Sequence, residues 1–340
     1  MYVALFLGWT LINSPFHRTN KHKTWTRIIG DRLSYFLTTR FNMKQLQWAL
    51  GDTLEVYKNY MEGQKLPLVT DELAENSRLL WIGERRTDRV ILYFHGGAFL
   101  FPVPFFVLSF WKFVQSELEA KGKKTGFALL QYSLVPTATF PTQLKQAVVA
   151  VQQLISMGVE PQNIQLTGDS AGGNLVLQLL SHMLHPVSDV PRLTITAPFS
   201  GVYLMSPWVS LTGKTGSMIT NDDSDCIGIK ALTYWGRIVL DGVPEKYRSY
   251  LEPYYAPEDW FMDLSTVVRR VFVTDGDAEC LRDEIAVVAD HLGKRHPRMQ
   301  FILQKHGIHD DPYLDFLLWP QKIQNDLTPL ILDFFASGFE

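Results

Sequence analysis

One serine has glycine two places before it and two places after it: Ser170, in the run Gly168-Asp169-Ser170-Ala171-Gly172-Gly173. Apolar residues lead into that run and leave it. Where a strand turns into a helix over a single residue, that residue is held in a strained backbone and its side chain is thrust out above the sheet. Its neighbours at plus and minus two are then so crowded that glycine is the residue that fits. The expected product is an exposed hydroxyl at the amino end of a helix, whose dipole favours negative charge. The chemistry such a group serves is nucleophilic acyl transfer. The same glycine pattern also arises by chance in glycine-rich turns, so the serine is informative only with partners.

The chain supplies them. Upstream, His95-Gly96-Gly97-Ala98 closes an apolar run. Small residues let a backbone approach a substrate closely. The N–H groups of Gly97 and Ala98, with that of Ala171 beside the serine, are candidate donors to one developing oxyanion, and Gly96 sets the turn. His95 reads as a hydrogen-bonded residue shaping this loop. Downstream, in the order serine, acid, histidine, "DGDAECLRDE" offers Asp275, Asp277 and Glu279, and "QKHGIHDDP" offers His306 and His309. His306 still belongs to a strand-like run, whereas His309 lies beyond Gly307 in the loop that must reach back over the serine. His309 is therefore the expected base. Asp310 and Asp311 are expected to shape that loop and Asp283 to cap the next helix. His182, His185, His291 and His296 read as helix surface or helix ends.

These residues need a frame. Strands are expected in "SRLLWIGER", taken as the first, and in "DRVILYFHGG", "GFALLQYSL", "NIQLTGDS", "GVYLMSPWV", "RRVFVTDG" and "RMQFILQKHG". Helices are expected in "PTQLKQAVVAVQQLISMG", "AGGNLVLQLLSHML", "RDEIAVVADHLGKRH" and "QNDLTPLILDFFAS". Alternation of this kind predicts an α/β fold, a mostly parallel sheet flanked by helices. Ahead of residue 88 the chain reads mainly helical. In "QLQWALGDTLEVYKNYMEG", Leu46, Trp48, Leu50, Leu54 and Tyr57 are compatible with one apolar face.

At 340 residues, 46% hydrophobic and 20% charged, the chain suits one large domain with an elaboration or two smaller ones. A net charge of -3 supplies no basic field, so no nucleic-acid partner is expected. Cys226 and Cys280 are the two cysteines and lack metal-ligand spacing, so neither a zinc site nor a disulfide framework is implied. The start, "MYVALFLGWTLINSPF" followed by "HRTNKHKTWTR", has the wrong order for a secretory signal and is shorter than the ~20 residues of a membrane span. It reads as a buried first helix of a cap or as an interfacial anchor over residues 1–25. The expected location is accordingly cytoplasmic or at a membrane such as the endoplasmic reticulum.

His95-Gly-Gly-Ala, "YSLVP" at 132–136, Phe140-Pro141 and "GDSAGGNL" at 168–175 together resemble the hormone-sensitive-lipase family of α/β-hydrolases over roughly residues 75–335. The aspartate after His309 is similar to a fungal-type branch, that of the steryl acetyl hydrolases. Alanine stands where the family usually has the third glycine of its oxyanion loop; the N–H remains. The resemblance implies an α/β-hydrolase fold with a helical cap built from residues 1–75 and an insertion at about 210–265, within a catalytic domain over 76–340. Setting Leu281 and Asp283 onto the family's acid-x-Leu-x-Asp pattern makes Glu279 the triad acid, with Asp277 the alternative. Asp169 is expected to stabilise the elbow or line the pocket floor. Phe99 opens "AFLFPVPFFVLSFW", with six aromatics among fourteen residues, and is expected in the substrate pocket. The expected activity is hydrolysis of short-acyl esters of a hydrophobic alcohol, such as a sterol or terpenoid, with no metal and no cofactor. Amidase or formamidase, acyltransferase and non-catalytic binding-module functions on the same fold are the alternatives.

Overall fold

The computed structural model describes residues 8–12, 20, 23–213, 216–317, 323 and 325–339. Eight strands form one sheet in the order β1-β2-β4-β3-β5-β6-β7-β8. They are β1 Val69–Leu73, β2 Ser77–Trp81, β3 Val90–Phe94, β4 Gly126–Gln131, β5 Ile164–Asp169, β6 Gly201–Met205, β7 Val271–Gly276 and β8 Met299–Gln304. Strand β2 is antiparallel to both its neighbours, and the rest run parallel.

A strand covered on both faces reads as an unbroken apolar run, and β3 is the clearest case, with all five residues fully buried. Its alternation divides two core layers. Val90, Leu92 and Phe94 join the layer that receives α5 (Thr142–Ser156), α6 (Ser170–Leu184) and α8 (Arg282–Arg295). Ile91 and Tyr93 join the layer of α3 (Thr53–Gly63), α4 (Phe105–Ala120) and α9 (Leu327–Ser337). Each large apolar side chain so buried contributes about 1.5–3 kcal/mol of transfer free energy.

Two expectations from the sequence are corrected. The first strand is β1, ahead of "SRLLWIGER", so the sheet begins within residues assigned to the amino-terminal segment. Its sequence, Val-Thr-Asp-Glu-Leu, alternates half-buried with exposed positions, as an edge strand does. The apolar run over 45–63 is two helices, α2 (Met43–Leu50) and α3, with Gly51 at φ 72° between them. The break rotates Trp48 and Leu50 off the shared face, leaving Trp48 88% exposed while Leu46 and Tyr57 are buried. Asn42 and Gln45 form a reciprocal cap at the start of α2.

The amino-terminal region and the insertion lie against the catalytic frame. Helix α1 (Trp25–Arg40) packs on the residues after the His309 loop and on α7 (Ile229–Leu240). Arg27 bridges Asp31 within α1 and Asp311 after that loop. Residues 1–7 and most of 13–22 lie outside the described residues, so much of the anchor expectation does too; Trp9, Ile12 and Trp25 are more than half exposed. Among the described residues no helix is long and apolar enough to cross a membrane.

Candidate active site

Strand register brings the sequence motifs together at the carboxyl ends of the strands. Phe94 pairs with Gly168, so the His95-Gly96-Gly97 loop leaves β3 beside the Asp169-Ser170 turn leaving β5. Asp169 pairs with Met205, which sets Ser206 next along, and Gly276 pairs with Gln304, so the acid-bearing and histidine-bearing loops emerge side by side.

Ser170 begins α6 with a left-handed φ of 48°, the strain that a one-residue strand-to-helix turn imposes. A β-carbon on Gly168 would lie 2.4 Å from the carbonyl carbon of Gly172, and one on Gly172 would lie 1.9 Å from the Phe94 carbonyl oxygen. At Gly168 the obstacle is the first turn of α6, and at Gly172 it is the end of β3, which cannot give way without disturbing the β3–β5 pairing. Gly172→Ala is therefore expected to cost roughly 3 kcal/mol or more of stability, read as a drop in the urea midpoint. The hydroxyl expected to be exposed is not: Ser170 is 7% accessible. The chain leaving β6 runs against it, with the Trp208 N–H donating to the Ser170 carbonyl at 2.9 Å.

Gly97, Ala98 and Phe99 all have positive φ, at 96°, 57° and 60°. A β-carbon on Gly97 would meet the Phe101 carbonyl at 2.6 Å, so this turn requires its glycine. The Gly97 carbonyl accepts from the Leu100 and Phe101 N–H groups. Among the described residues no hydrogen bond takes up the N–H groups of Gly97 or Ala98. That of Ala171 falls in the first turn of α6, where no intrahelical partner exists. Gly96 differs: its N–H donates to Asp169 Oδ2 at 3.1 Å. Asp169 also accepts from the hydroxyls of Tyr93 and Tyr313, so it ties the Ser170 turn to the His95–Gly97 loop and to the core. Burial is the main cause of its upward-shifted pKa. Phe99 is buried, with its ring edge-on to Tyr132. His95 stacks on Tyr132 at 4.4 Å, with Nδ1 against the Gly96 carbonyl at 2.7 Å. Burial lowers its pKa to about 4, so it is a neutral part of the loop.

His309 Nδ1 lies 2.7 Å from Glu279 Oε1, and both side chains are buried. The other oxygen of Glu279 accepts from the Ser206 hydroxyl at 2.7 Å and the Gly276 N–H at 3.3 Å. Burial opposes the charge on Glu279, but the charge of His309 and hydrogen bonds from His309, Asp275 and Ser206 outweigh it and hold its pKa below the ordinary value. Asp277 faces elsewhere, with Oδ1 accepting from the His306 N–H at 2.6 Å. Asp275 is fully buried and pushed well above the carboxylate range, first by burial and then by the charge of Glu279.

A second carboxyl group, not anticipated, faces the other nitrogen of His309. Asp310 Oδ2 lies 3.3 Å from His309 Nε2, and the Ser170 hydroxyl makes no hydrogen bond to that nitrogen. Burial works against protonation of His309, yet Asp310, Glu279 and Asp225 together raise its pKa to about 10. A carboxyl group facing each nitrogen favours the protonated imidazole, the form a base reaches after accepting a proton, while burial pushes the Asp310 carboxyl itself well above the ordinary carboxylate range. A base acts unprotonated, so activity rises as pH climbs through its pKa. Replacing the Asp310 carboxyl removes the largest upward influence on that pKa, so the pKa falls. Asp310→Asn is thus expected to move the acid limb of the kcat/KM profile to lower pH by about one unit or more, and a profile that stays in place would refute this assignment. Asp311 shapes the loop, accepting from the Ile308 N–H at 3.1 Å.

Other expectations fall differently. Asp283 does not cap α8, whose cap position is Leu281; it accepts from the Ser217 N–H and pairs with Arg282. His182 is a buried core residue, bonded to the Pro191 carbonyl and the Val187 N–H. Cys226 and Cys280 are free and buried. Of the aromatics in the 210–265 insertion, Trp235, Tyr250 and Phe261 are buried, while Tyr234 and Tyr255 are largely exposed. Ser206, Tyr93, Tyr313 and Asp225 were not anticipated. Ser206 had one signal, a polar residue at the carboxyl end of a fully apolar strand.

The chain is similar to known proteins in both sequence and fold. The chain is 29% identical over 245 residues to the steryl acetyl hydrolase homologue mug81 of Schizosaccharomyces pombe, covering 68% of this chain and 62% of that one. It is 25% identical over 255 residues to steryl acetyl hydrolase 1 of Saccharomyces cerevisiae, covering 68% of this chain and 55% of that one. It therefore spans somewhat over half the length of these relatives. An esterase of the bacterial hormone-sensitive lipase family superposes with a TM-score of 0.68 at 18% identity, over 94% of this chain and 99% of the other. A hormone-sensitive lipase from a metagenome library gives 0.67 at 19%, over 100% and 99%. Both likenesses establish the α/β-hydrolase fold. The family model described as steryl acetyl hydrolase matches residues 69–324, and the chain belongs to that family.

Proposed function

We propose that the protein is a serine carboxylic ester hydrolase that removes short, acetyl-type acyl groups from a hydrophobic alcohol such as a sterol. The observation that carries this reading is the Glu279–His309 pair, 2.7 Å apart and buried, at the carboxyl ends of the strands where the strained Ser170 turn emerges. In the proposed cycle Nε2 of His309 takes the proton as Ser170 Oγ attacks the ester carbonyl, while Glu279 fixes the tautomer and stabilises the imidazolium. The N–H groups of Gly97, Ala98 and Ala171 receive the oxyanion. The alcohol leaves with the proton from His309, and water then attacks the acyl-enzyme using the same base. For Nε2 to meet the serine, Asp310 has to leave it; catalytic hydrogen bonds often close only with substrate bound.

An apolar alcohol is supported by the contact of Phe101, just past the oxyanion loop, with Trp235 of α7 at 5.2 Å. Apolar walls with a few aimed polar groups suit a lipophilic ligand. The names of the two fungal relatives support the acetyl group and the sterol. The test is turnover of a steryl acetate beside p-nitrophenyl acetate, butyrate and octanoate. Acetate release from the steryl ester is expected, with kcat/KM falling roughly tenfold or more between acetate and octanoate. A preference for octanoate, or faster cleavage of a matched acetanilide, would overturn the acetyl-ester reading.

A further inference from the structure

Asp225 lies in the insertion, far in sequence from every motif, yet its carboxylate sits between the two loops that carry the acid and the base. Oδ2 accepts from the Cys280 N–H, beside Glu279, at 2.7 Å. Oδ1 accepts from the His309 N–H at 3.0 Å and from the adjacent Cys226 N–H at 2.7 Å. The side chain is 1% exposed, and burial, then the charge of Glu279, raises its pKa to about 6. Four residues earlier, Asn221 Nδ2 donates to the carbonyls of Glu279 at 2.8 Å and Asp277 at 3.1 Å. A backbone bond from the Asp225 N–H to the Asn221 carbonyl at 3.0 Å closes this segment into one turn. The turn is held from outside as well, since Arg32 of α1 donates to the Asp223 carbonyl and the Cys226 thiol donates to the His309 carbonyl at 3.5 Å.

We propose that Asp225, with Asn221, is a positioning clamp that fixes the separation between Glu279 and His309, so that the insertion sets the geometry of the acid–base pair. The proposal rests on the Ser170–His309–Glu279 reading. A carboxylate is the group the site needs. It presents acceptors on both oxygens to N–H groups from two loops, whereas an amide must turn a donor toward one of them. Displacements of about 1 Å in such a pair cost on the order of 10²-fold in rate.

The test compares Asp225→Asn, Asn221→Ala and Ser170→Ala with the unaltered protein in steady-state hydrolysis of p-nitrophenyl acetate. Alongside, the low-field proton resonance of the His309–Glu279 hydrogen bond is followed, identified by its loss in Glu279→Gln. Asp225→Asn is expected to lower kcat about 10²-fold with KM little changed and to shift that resonance upfield. If it does not fold, half-buried Asn221→Ala carries the test, with kcat expected to fall roughly tenfold and KM to hold. Wild-type kcat and an unmoved resonance in a folded variant would overturn the clamp, as would a lowered thermal midpoint alone. Turnover that survives Ser170→Ala would instead overturn the underlying reading, so the two failures are distinguishable.

Discussion

Ser170→Ala is expected to lower kcat/KM for p-nitrophenyl acetate by about 10^5 to 10^6-fold, the loss seen when the nucleophile of such a site is removed. Stability should hardly change. The Ser170 hydroxyl makes no hydrogen bond among the described residues, so no buried partner is stranded by its loss. Serine and alanine also bear the same β-carbon at the left-handed φ of 48°, so the strain of the turn is common to both. The thermal midpoint is expected to stay within about 2–4 °C, equivalent to about 1 kcal/mol or less in a chain of this size. Residual hydrolysis of some 10^3-fold over water is expected from the oxyanion loop and binding alone. A folded alanine variant with near-normal turnover would exclude the acyl-enzyme route.

The second large effect separates two carboxylates two residues apart. Glu279→Gln is expected to reduce kcat by about 10^4-fold, because an amide facing His309 Nδ1 no longer enforces the tautomer or stabilises the imidazolium. Its second oxygen is also engaged by Ser206 and the Gly276 N–H, so the glutamine amide cannot turn without facing a donor on one side. Asp277→Asn keeps the one acceptor its side chain uses, that toward the His306 N–H, and is expected to change kcat by less than about threefold. Steady-state kinetics on both variants, with circular dichroism to confirm folding, decides between them. The opposite ranking would move the acid role to Asp277.

The strained Ser170 turn, the glycine-bearing loop after β3 and the alternation of strands and helices were legible because each is written locally. The elbow needs glycines at fixed offsets, and strands such as β3 need continuous apolar residues. Glu279 was legible only through its spacing from Leu281 and Asp283, since Asp275 and Asp277 carry the same chemistry; in the structure it is the carboxylate that reaches Nδ1. What was not legible depends on contacts between distant segments. Asp225 meets Cys280 and His309 across 55 and 84 residues. Trp111 donates to the Tyr313 hydroxyl at 3.0 Å across 202 residues, continuing the chain that ends on Asp169. Asp310 on Nε2 follows from its left-handed φ of 53°, and nothing local in "HDDP" demands that conformation. Strand β1 was missed because an edge strand has little apolar signal, and the break at Gly51 because the apolar spacing continues through it.

Rapid mixing of the protein with excess p-nitrophenyl acetate, quenched within the first turnover and followed by intact-mass and peptide analysis, tests the proposed chemistry most directly. The expected result is a burst of nitrophenol approaching one equivalent and an acetyl group on the peptide containing Ser170, both absent in Ser170→Ala. Turnover with no acetylated Ser170 peptide at any quench time, and persisting in the alanine variant, would contradict it.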